Sequence, residues 1–296
     1  MAPEYMTVAL SEISDDINVN ALDPAGVDAL LDMARDVLAL GPGLGQAPAT
    51  KQFVKMLVDR ATMPLVIDAD GLNAFSDDPD VNALDPAGVD ALLDMARDVL
   101  ALGPGLGQAP ATKQFVKMLV DRATMPLVID ADGLNAFSDD PDRLAGREGR
   151  DIIITPHPGE MARLVGMSTD EVQSSRLEIA RNFAVAHYLY VVLKGHRTLI
   201  ATPDEKVFIN STGNAGMATG GTGDVLTGMI AAWLGQLLDA EAACKLAVYL
   251  HGMAGDLAEA DEGDVSLIAG DLVAHIGDAI QELTARRRVV NQDNTT

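Results

Sequence analysis

Asn210-Ser-Thr-Gly-Asn-Ala-Gly-Met-Ala-Thr-Gly-Gly-Thr-Gly-Asp224-Val-Leu-Thr-Gly228 is a run of small residues that opens onto an apolar helical stretch, Val225–Leu234. A glycine-rich loop entering a helix leaves several backbone N–H groups free to meet an anion. The helix dipole adds positive potential at the same place. Asp224 falls in the first turn. An acid there can simply favour the dipole. Beside four glycines and a run of small residues, it reads better as a base that takes a proton from a hydroxyl attacking a phosphoryl group.

Outward from this loop, the chain alternates apolar strands with helices. Asp98–Leu102, Pro126–Asp130, Asp151–Thr155 and Leu189–Lys194 are short apolar runs. Continuous apolar strands between helices indicate a parallel sheet covered on both faces, hence an α/β fold. Between them, Phe115, Met118 and Leu119 mark one face of a helix, and Ser168-Thr-Asp-Glu171 is a capping box. Thr198–Ala201 and Val207–Ile209 read as a hairpin arm, and helices are expected over Ala240–Glu259 and Ala269–Arg286 with a frayed polar tail from Asn291. Ala131-Asp-Gly-Leu-Asn135 reads as a loop at a strand's carboxyl end, where open α/β sheets place ligands.

The first half is dominated by a repeat. Val19–Asp80 and Val81–Asp142 are identical over 62 residues. Solenoid repeats diverge and are usually shorter, so this is read as a recent in-frame doubling. Connection length separates the copies. Val81–Asp142 runs directly into Asp151–Thr155, so it is expected in the native position, with Val19–Asp80 surplus. One domain over 1–296 is expected, with Gly105 and Asp132 near Gly223 and Asp224, and Gly43 and Asp70 far away.

The formal net charge is −23 and the pI about 4.3, which argues against nucleic acid and against an anionic membrane surface. Only seven Lys stand against 44 acidic residues, a balance that suits either a high-salt cytoplasm or an ordinary acidic protein. Cys244 is the single cysteine and reads as buried filler in a cytoplasmic protein. The amino-terminal residues lack the pattern of a signal peptide, and no apolar run reaches a membrane-spanning length.

The string Thr219-Gly-Gly-Thr-Gly-Asp224 resembles the signature of ribokinase-like enzymes, and with Gly213-Asn-Ala-Gly-Met-Ala before it resembles the NAD(P)H-hydrate dehydratase family in particular. Gly103-Pro-Gly-Leu-Gly107, Asp130–Asn135, Thr155-Pro-His-Pro-Gly-Glu160, Leu193-Lys-Gly-His-Arg-Thr198 and His251-Gly-Met-Ala-Gly-Asp256 agree in order. The resemblance implies a three-layer sandwich around a mostly parallel sheet. It implies repair of hydrated NADH or NADPH with ADP or ATP as phosphoryl donor, and Mg²⁺. Asp224 would be catalytic base and substrate contact. Gly220, Gly221 and Gly223 would cradle the phosphate. Lys194, Gly195, His196, Arg197 and Thr198 would contact the adenine nucleotide. Gly105, Gly107, His157, Asp132 and Asn135 would line the substrate side. The metal ligands stay open, with Glu160 as a carrier of Mg²⁺ through water or a helix cap. His251 is expected to pack between helices.

Against the family pattern, Met1–Glu12 resembles the third strand, with Tyr5–Leu10 as its core, so the first βαβ unit is expected to be missing. Assembly as a homo-oligomer is also implied, a tetramer in resembling proteins. Two other readings stand beside the dehydratase. One is a small-molecule kinase of the same fold, like hydroxyethylthiazole kinase, which would leave phosphate on its product. The other is a non-catalytic nucleotide-binding remnant.

Overall fold

The computed structural model describes residues 27, 38–40, 48–60, 65–67, 89–90, 93, 98–236 and 239–293. Strand β1 (Leu38–Leu40), helix α1 (Pro48–Arg60) and strand β2 (Leu65–Ile67) come from the first repeat copy. Strand β3 (Leu100–Leu102), helix α2 (Pro110–Arg122) and strand β4 (Leu127–Ile129) are their counterparts in the second. Then follow helix α3 (Ala131–Asn135), strand β5 (Ile152–Ile154), and helices α4 (Pro158–Val165), α5 (Thr169–Ser174) and α6 (Arg176–Ala186). Strands β6 (Tyr190–Leu193), β7 (Leu199–Ala201) and β8 (Val207–Ile209) lead to helices α7 (Thr222–Gly235), α8 (Ala240–Glu262) and α9 (Ala269–Asp293). Among the described residues, no helix is long and apolar enough to cross a membrane.

Six strands form one sheet in the order β3-β4-β5-β6-β7-β8. The first four are parallel, and β7 and β8 return antiparallel as the expected hairpin arm. Side chains alternate across a strand, and the core divides accordingly. Leu127, Ile129, Ile152, Ile154, Val191 and Leu193 face a layer that includes Phe115, Met161, Val172 and Phe183 from α2 and α4–α6. Val128, Ile153, Val192 and Ile200 face Leu226, Ile230, Ala247 and Leu272 from α7–α9. Both faces are covered, which is why these strands carry no polar alternation. Each Leu or Ile so buried contributes roughly 1.5–3 kcal/mol, and the sheet centre is fully buried.

Strands β1 and β2 pair with each other in a separate two-stranded parallel sheet. Their register, Leu38 with Leu65 and Leu40 with Ile67, repeats that of Leu100 with Leu127 and Leu102 with Ile129. Tyr5–Leu10, Gly43 and Asp70 lie outside the described residues.

The helices begin and end by local chemistry. The Ser168 hydroxyl accepts from the Glu171 N–H while the Glu171 carboxylate takes the Ser168 N–H, the expected capping box. Asp239 caps α8 by accepting from Ala242 N–H at 2.8 Å. Two expectations fail. Ala131–Asn135 is a short helix, not a loop, because Gly133 and Leu134 bond back to the Asp130 carbonyl. The last helix runs on to Asp293, beyond the expected end at Arg286, so residues 287–293 continue the helical backbone despite their polarity.

The β3–α2 turn is fixed by a close approach. Gly103 has φ +140°, and a Cβ there would lie 1.8 Å from the Asp130 carbonyl oxygen. Gly103→Ala should therefore destabilise the protein by about 2 kcal/mol or more. The control is Gly277→Ala, in mid-α9, where a Cβ meets nothing within 4 Å; it should stabilise by about 0.5–1 kcal/mol. Urea unfolding of the two variants gives both signs, and equal midpoints would contradict the assignment.

Candidate functional site

The carboxyl ends of β3, β4, β5 and β6 lie side by side, and the last three carry polar residues there, Asp130, Thr155 and Lys194. Asp130, just past β4, is 1 % exposed. Its Oδ1 accepts from Lys194 Nζ at 2.7 Å, and its Oδ2 accepts from the Thr227 hydroxyl at 2.9 Å. Lys194 follows β6 directly, its main-chain N–H held by the Pro156 carbonyl at 2.8 Å. Thr227 lies one turn into α7, four residues after Gly223, and so on the same helix face. One buried carboxylate thus ties two strand ends to the helix that follows the glycine-rich loop.

That loop is held from below. Asn210 donates to the Thr212 carbonyl, and Gly213 N–H reaches Asp256 on α8 at 3.0 Å. Asn214 also donates to Asp256 and to the Gly255 carbonyl. The chain then enters α7 through Gly221 in the left-handed region, φ +89°, with no side-chain cap over the first turn. A Cβ on Gly223 would sit 3.2 Å from Lys194 Nζ. The ammonium therefore lies close beneath that turn, and only glycine leaves it there undisturbed. Gly220 and Asp224 are exposed in the same stretch.

The substrate-side residues expected from the sequence form a second group at the neighbouring strand ends. Asp132 accepts from Gly107 N–H at 2.8 Å and from the Gln108 side chain at 3.2 Å. Asn135 is beside it at 3.5 Å and accepts from Arg163 at 2.8 Å. Gly105 and Gly107 adopt positive φ in the turn after β3. His157 is the N-cap of α4: its Nδ1 accepts from Gly159 and Glu160 N–H, and Glu160 takes the His157 N–H at 2.8 Å. That fixes the neutral tautomer with the proton on Nε2, which is turned toward Glu160 Oε1 at 3.4 Å. Glu160 thus caps a helix, and its Oε2 also lies 3.9 Å from Lys194 Nζ.

The remaining expected contacts, Gly195, His196 and Arg197, are exposed at the turn after β6, and Thr198 closes it by donating to the Gly195 carbonyl at 3.0 Å. The ammonium of Lys194, read from sequence as a nucleotide contact, is directed into the Asp130–Glu160 pair. Asp130, Thr227 and Arg163 were not singled out from sequence as site residues. Asp130 stood inside the quoted Asp130–Asn135 stretch, and the spacing from Gly223 to Thr227 was a readable signal.

His251, on α8, donates from its Nε2–H to the Thr222 carbonyl at 2.8 Å, pinning the start of α7 to α8. It packs between helices, as expected. Burial pulls its pKa down to about 4, outweighing the Thr222 bond that favours the charged form, and the nearby Lys194 adds to the depression. A folded pKa below the unfolded value means that the unfolded chain takes up the proton first. Stability from this site is complete above about pH 6.5 and is lost as pH falls toward 4. Equilibrium unfolding between these limits should show an acid-side loss of roughly 3 kcal/mol in the parent that His251→Gln does not share. Parallel pH curves for the two proteins would refute it.

With this geometry in hand, comparison with known proteins is direct. The family model described as NAD(P)H-hydrate dehydratase matches residues 5–89 and again residues 85–280, the two matches meeting within the repeat. A bifunctional NAD(P)H-hydrate repair enzyme of Moorella thermoacetica is 44 % identical over 252 residues, covering 84 % of this chain and 46 % of that protein. An ADP-dependent (S)-NAD(P)H-hydrate dehydratase of Bacillus subtilis is 40 % identical over 183 residues, 62 % of this chain and 64 % of its own length. The chain spans about half the length of the curated relatives it matches. Among solved structures, the ADP/ATP-dependent NAD(P)H-hydrate dehydratase of Bacillus subtilis co-crystallised with ATP and Mg²⁺ superposes with a TM-score of 0.61 at 27 % identity, covering 89 % of this chain and 86 % of that one. A hydroxyethylthiazole kinase from Pyrococcus horikoshii shares the fold alone, with a TM-score of 0.53 at 12 % identity over 86 % of this chain and 90 % of that one. By its match to the family model, its relatives and its six-stranded α/β sheet, this chain belongs to the NAD(P)H-hydrate dehydratase family of ribokinase-like fold.

Proposed function

We propose that the chain repairs hydrated NADH or NADPH, using ADP or ATP to phosphorylate the hydrate hydroxyl before phosphate is eliminated. The observation that carries this reading is the uncapped first turn of α7 with Lys194 Nζ directly beneath Gly223. The uncapped helix start offers main-chain N–H groups and the positive end of its dipole in a chain of formal charge −23, and such local potential is what an anionic group needs there. Asp224 stands exposed beside it. In this role its carboxylate takes the hydroxyl proton as the hydroxyl oxygen bonds to the terminal phosphorus. The nucleotide leaves with the bridging oxygen. The carbon–oxygen bond then breaks with its electron pair going to phosphate, a neighbouring proton is lost, and the ring double bond returns.

The main-chain N–H groups of Gly220–Asp224, at and just before the start of α7, would hold the transferring phosphate, with the Lys194 ammonium beneath. Gly105, Gly107, Asp132, Asn135 and His157 would face the hydrate, and Lys194–Thr198 the adenine nucleotide. Among the described residues no group of three or more His, Cys, Asp or Glu could hold a metal. Mg²⁺ would be held mainly through the nucleotide phosphates and water, because both Asp130 oxygens and the Glu160 helix cap are already engaged. When bound, the ion would neutralise phosphate charge.

Residues 81–142 are proposed as the copy in the family position, with 19–80 surplus. What supports this is that, among the described residues, β3 and β4 pair within the sheet that bears the site, while β1 and β2 pair with each other in a separate sheet. A cytoplasmic location goes with a soluble-cofactor substrate and with a buried Cys244 whose thiol is pushed far up by burial. A homo-oligomer is the assembly proposed.

ADP with Mg²⁺ should raise the melting temperature by several degrees, since ligand at a hundred times its dissociation constant adds about 2.7 kcal/mol. No shift at millimolar nucleotide would defeat the nucleotide assignment. Asp224→Asn should lower turnover of the hydrate by about 10²–10⁴-fold while leaving ADP binding in place. Product carrying phosphate would point instead to a kinase, and retained turnover would remove Asp224 as the base.

A further inference from the structure

Arg176 opens α6, and its guanidinium does not point to solvent. Nη1 donates to the His196 carbonyl at 2.7 Å, and Nη2 donates to the Leu193 and Lys194 carbonyls at 3.2 and 3.3 Å. Two nitrogens thus gather three carbonyls from one tight turn.

The placement runs against local preference in three ways. A cation at a helix amino terminus opposes the dipole. Burial alone pulls the guanidinium below the usual arginine range, with no carboxylate among the described residues to offset it. Its Nε is buried without a hydrogen-bond partner, an arrangement that costs free energy unless something is gained elsewhere. Local rules are commonly broken where function demands it.

What is gained is the shape of the turn. Gly195 has φ +134° and Arg197 φ +55°, both in the left-handed region. A Cβ on Gly195 would lie 3.2 Å from Arg176 Nη2. Glycine and guanidinium are therefore fitted to one another. Only a planar fork with five donors spans carbonyls directed this way; the point charge of lysine does not.

We infer that Arg176 is a positioning residue: it holds the main chain of Leu193–His196 in the form that presents Lys194–Thr198 to an adenine nucleotide. It acts through the turn and need not touch the ligand. The inference rests on the nucleotide reading proposed above.

The experiment uses the full chain, Arg176→Met and Arg176→Lys, with ADP–Mg²⁺ titration calorimetry and hydrogen exchange over residues 190–200. The parent should bind ADP. Arg176→Met should exchange faster across this segment and bind ADP about tenfold more weakly. Arg176→Lys, which keeps the charge and loses the fork, should fall between. If Arg176→Met fails to fold, the lysine variant alone decides by the same two measurements. Unchanged exchange, or faster exchange with unchanged affinity, overturns the positioning role. A parent that fails to bind ADP overturns the nucleotide reading itself, and with it the reason for the turn; the unliganded exchange data then separate the two failures.

Discussion

The Asp130 carboxylate is the constraint on which the site depends. It is almost fully buried and carries a lysine on one oxygen and a threonine on the other. A buried ion pair gains little net stability, because desolvating both charges offsets much of their attraction. Removing one partner costs far more, since the other is left buried and unpaired. The pair therefore acts as a device that specifies arrangement. It fixes Lys194 at the end of β6, Thr227 on α7 and the end of β4 in one relation. The Gly103 turn then closes against the Asp130 carbonyl, so the same residue sets the β3 loop through its main chain.

The contrast between global and local charge has the same origin. With 44 acids against 21 Lys and Arg, the chain as a whole repels phosphate. At the strand ends the balance changes. Glu160 has its oxygens engaged by the His157 main chain and faced by Lys194, and Asp132 is occupied by Gly107 and Gln108. The carboxylates nearest the cradle already have donors, which lessens their repulsion of an incoming anion. The α7 dipole is left to act over a short distance, where screening matters least, and Lys194 offsets the Asp130 charge beneath it.

Much of the fold was legible because period and apolarity are read residue by residue. Ile152–Ile154 and Val191–Leu193 are apolar throughout, and only a strand covered on both faces tolerates that. The hairpin arm and the Ser168 box were likewise local. The short helix Ala131–Asn135 was not legible, because its existence follows from carbonyl geometry at Asp130. The extension of α9 past Arg286 was missed because polar composition was read as fraying. At the site, residues within a recognisable string were readable by type and spacing. Arg176 was not, as nothing in Ser175-Arg-Leu distinguishes an arginine turned inward onto carbonyls from one in solvent. Its role exists only once β6 and α6 are side by side.

The repeat offers a rare internal control on what local sequence decides. Two identical 62-residue segments stand in one chain. Their strands pair in the same parallel register and their helices span equivalent residues, Pro48–Arg60 and Pro110–Arg122. Those features therefore belong to the segment itself, whatever surrounds it. What differs is the partner across the next edge. Among the described residues β4 pairs onward with β5, through Leu127 to Ile152 and Ile129 to Ile154, and β2 has no such further partner. That pairing in turn lets a strand-end aspartate meet a lysine from β6. Asp130 acquires its partners from residues that the segment does not contain, Lys194 and Thr227. The local fold is thus written twice in this chain, while the Asp130–Lys194–Thr227 arrangement requires the downstream half, so that arrangement comes from the context of the second copy and not from the repeated sequence as such.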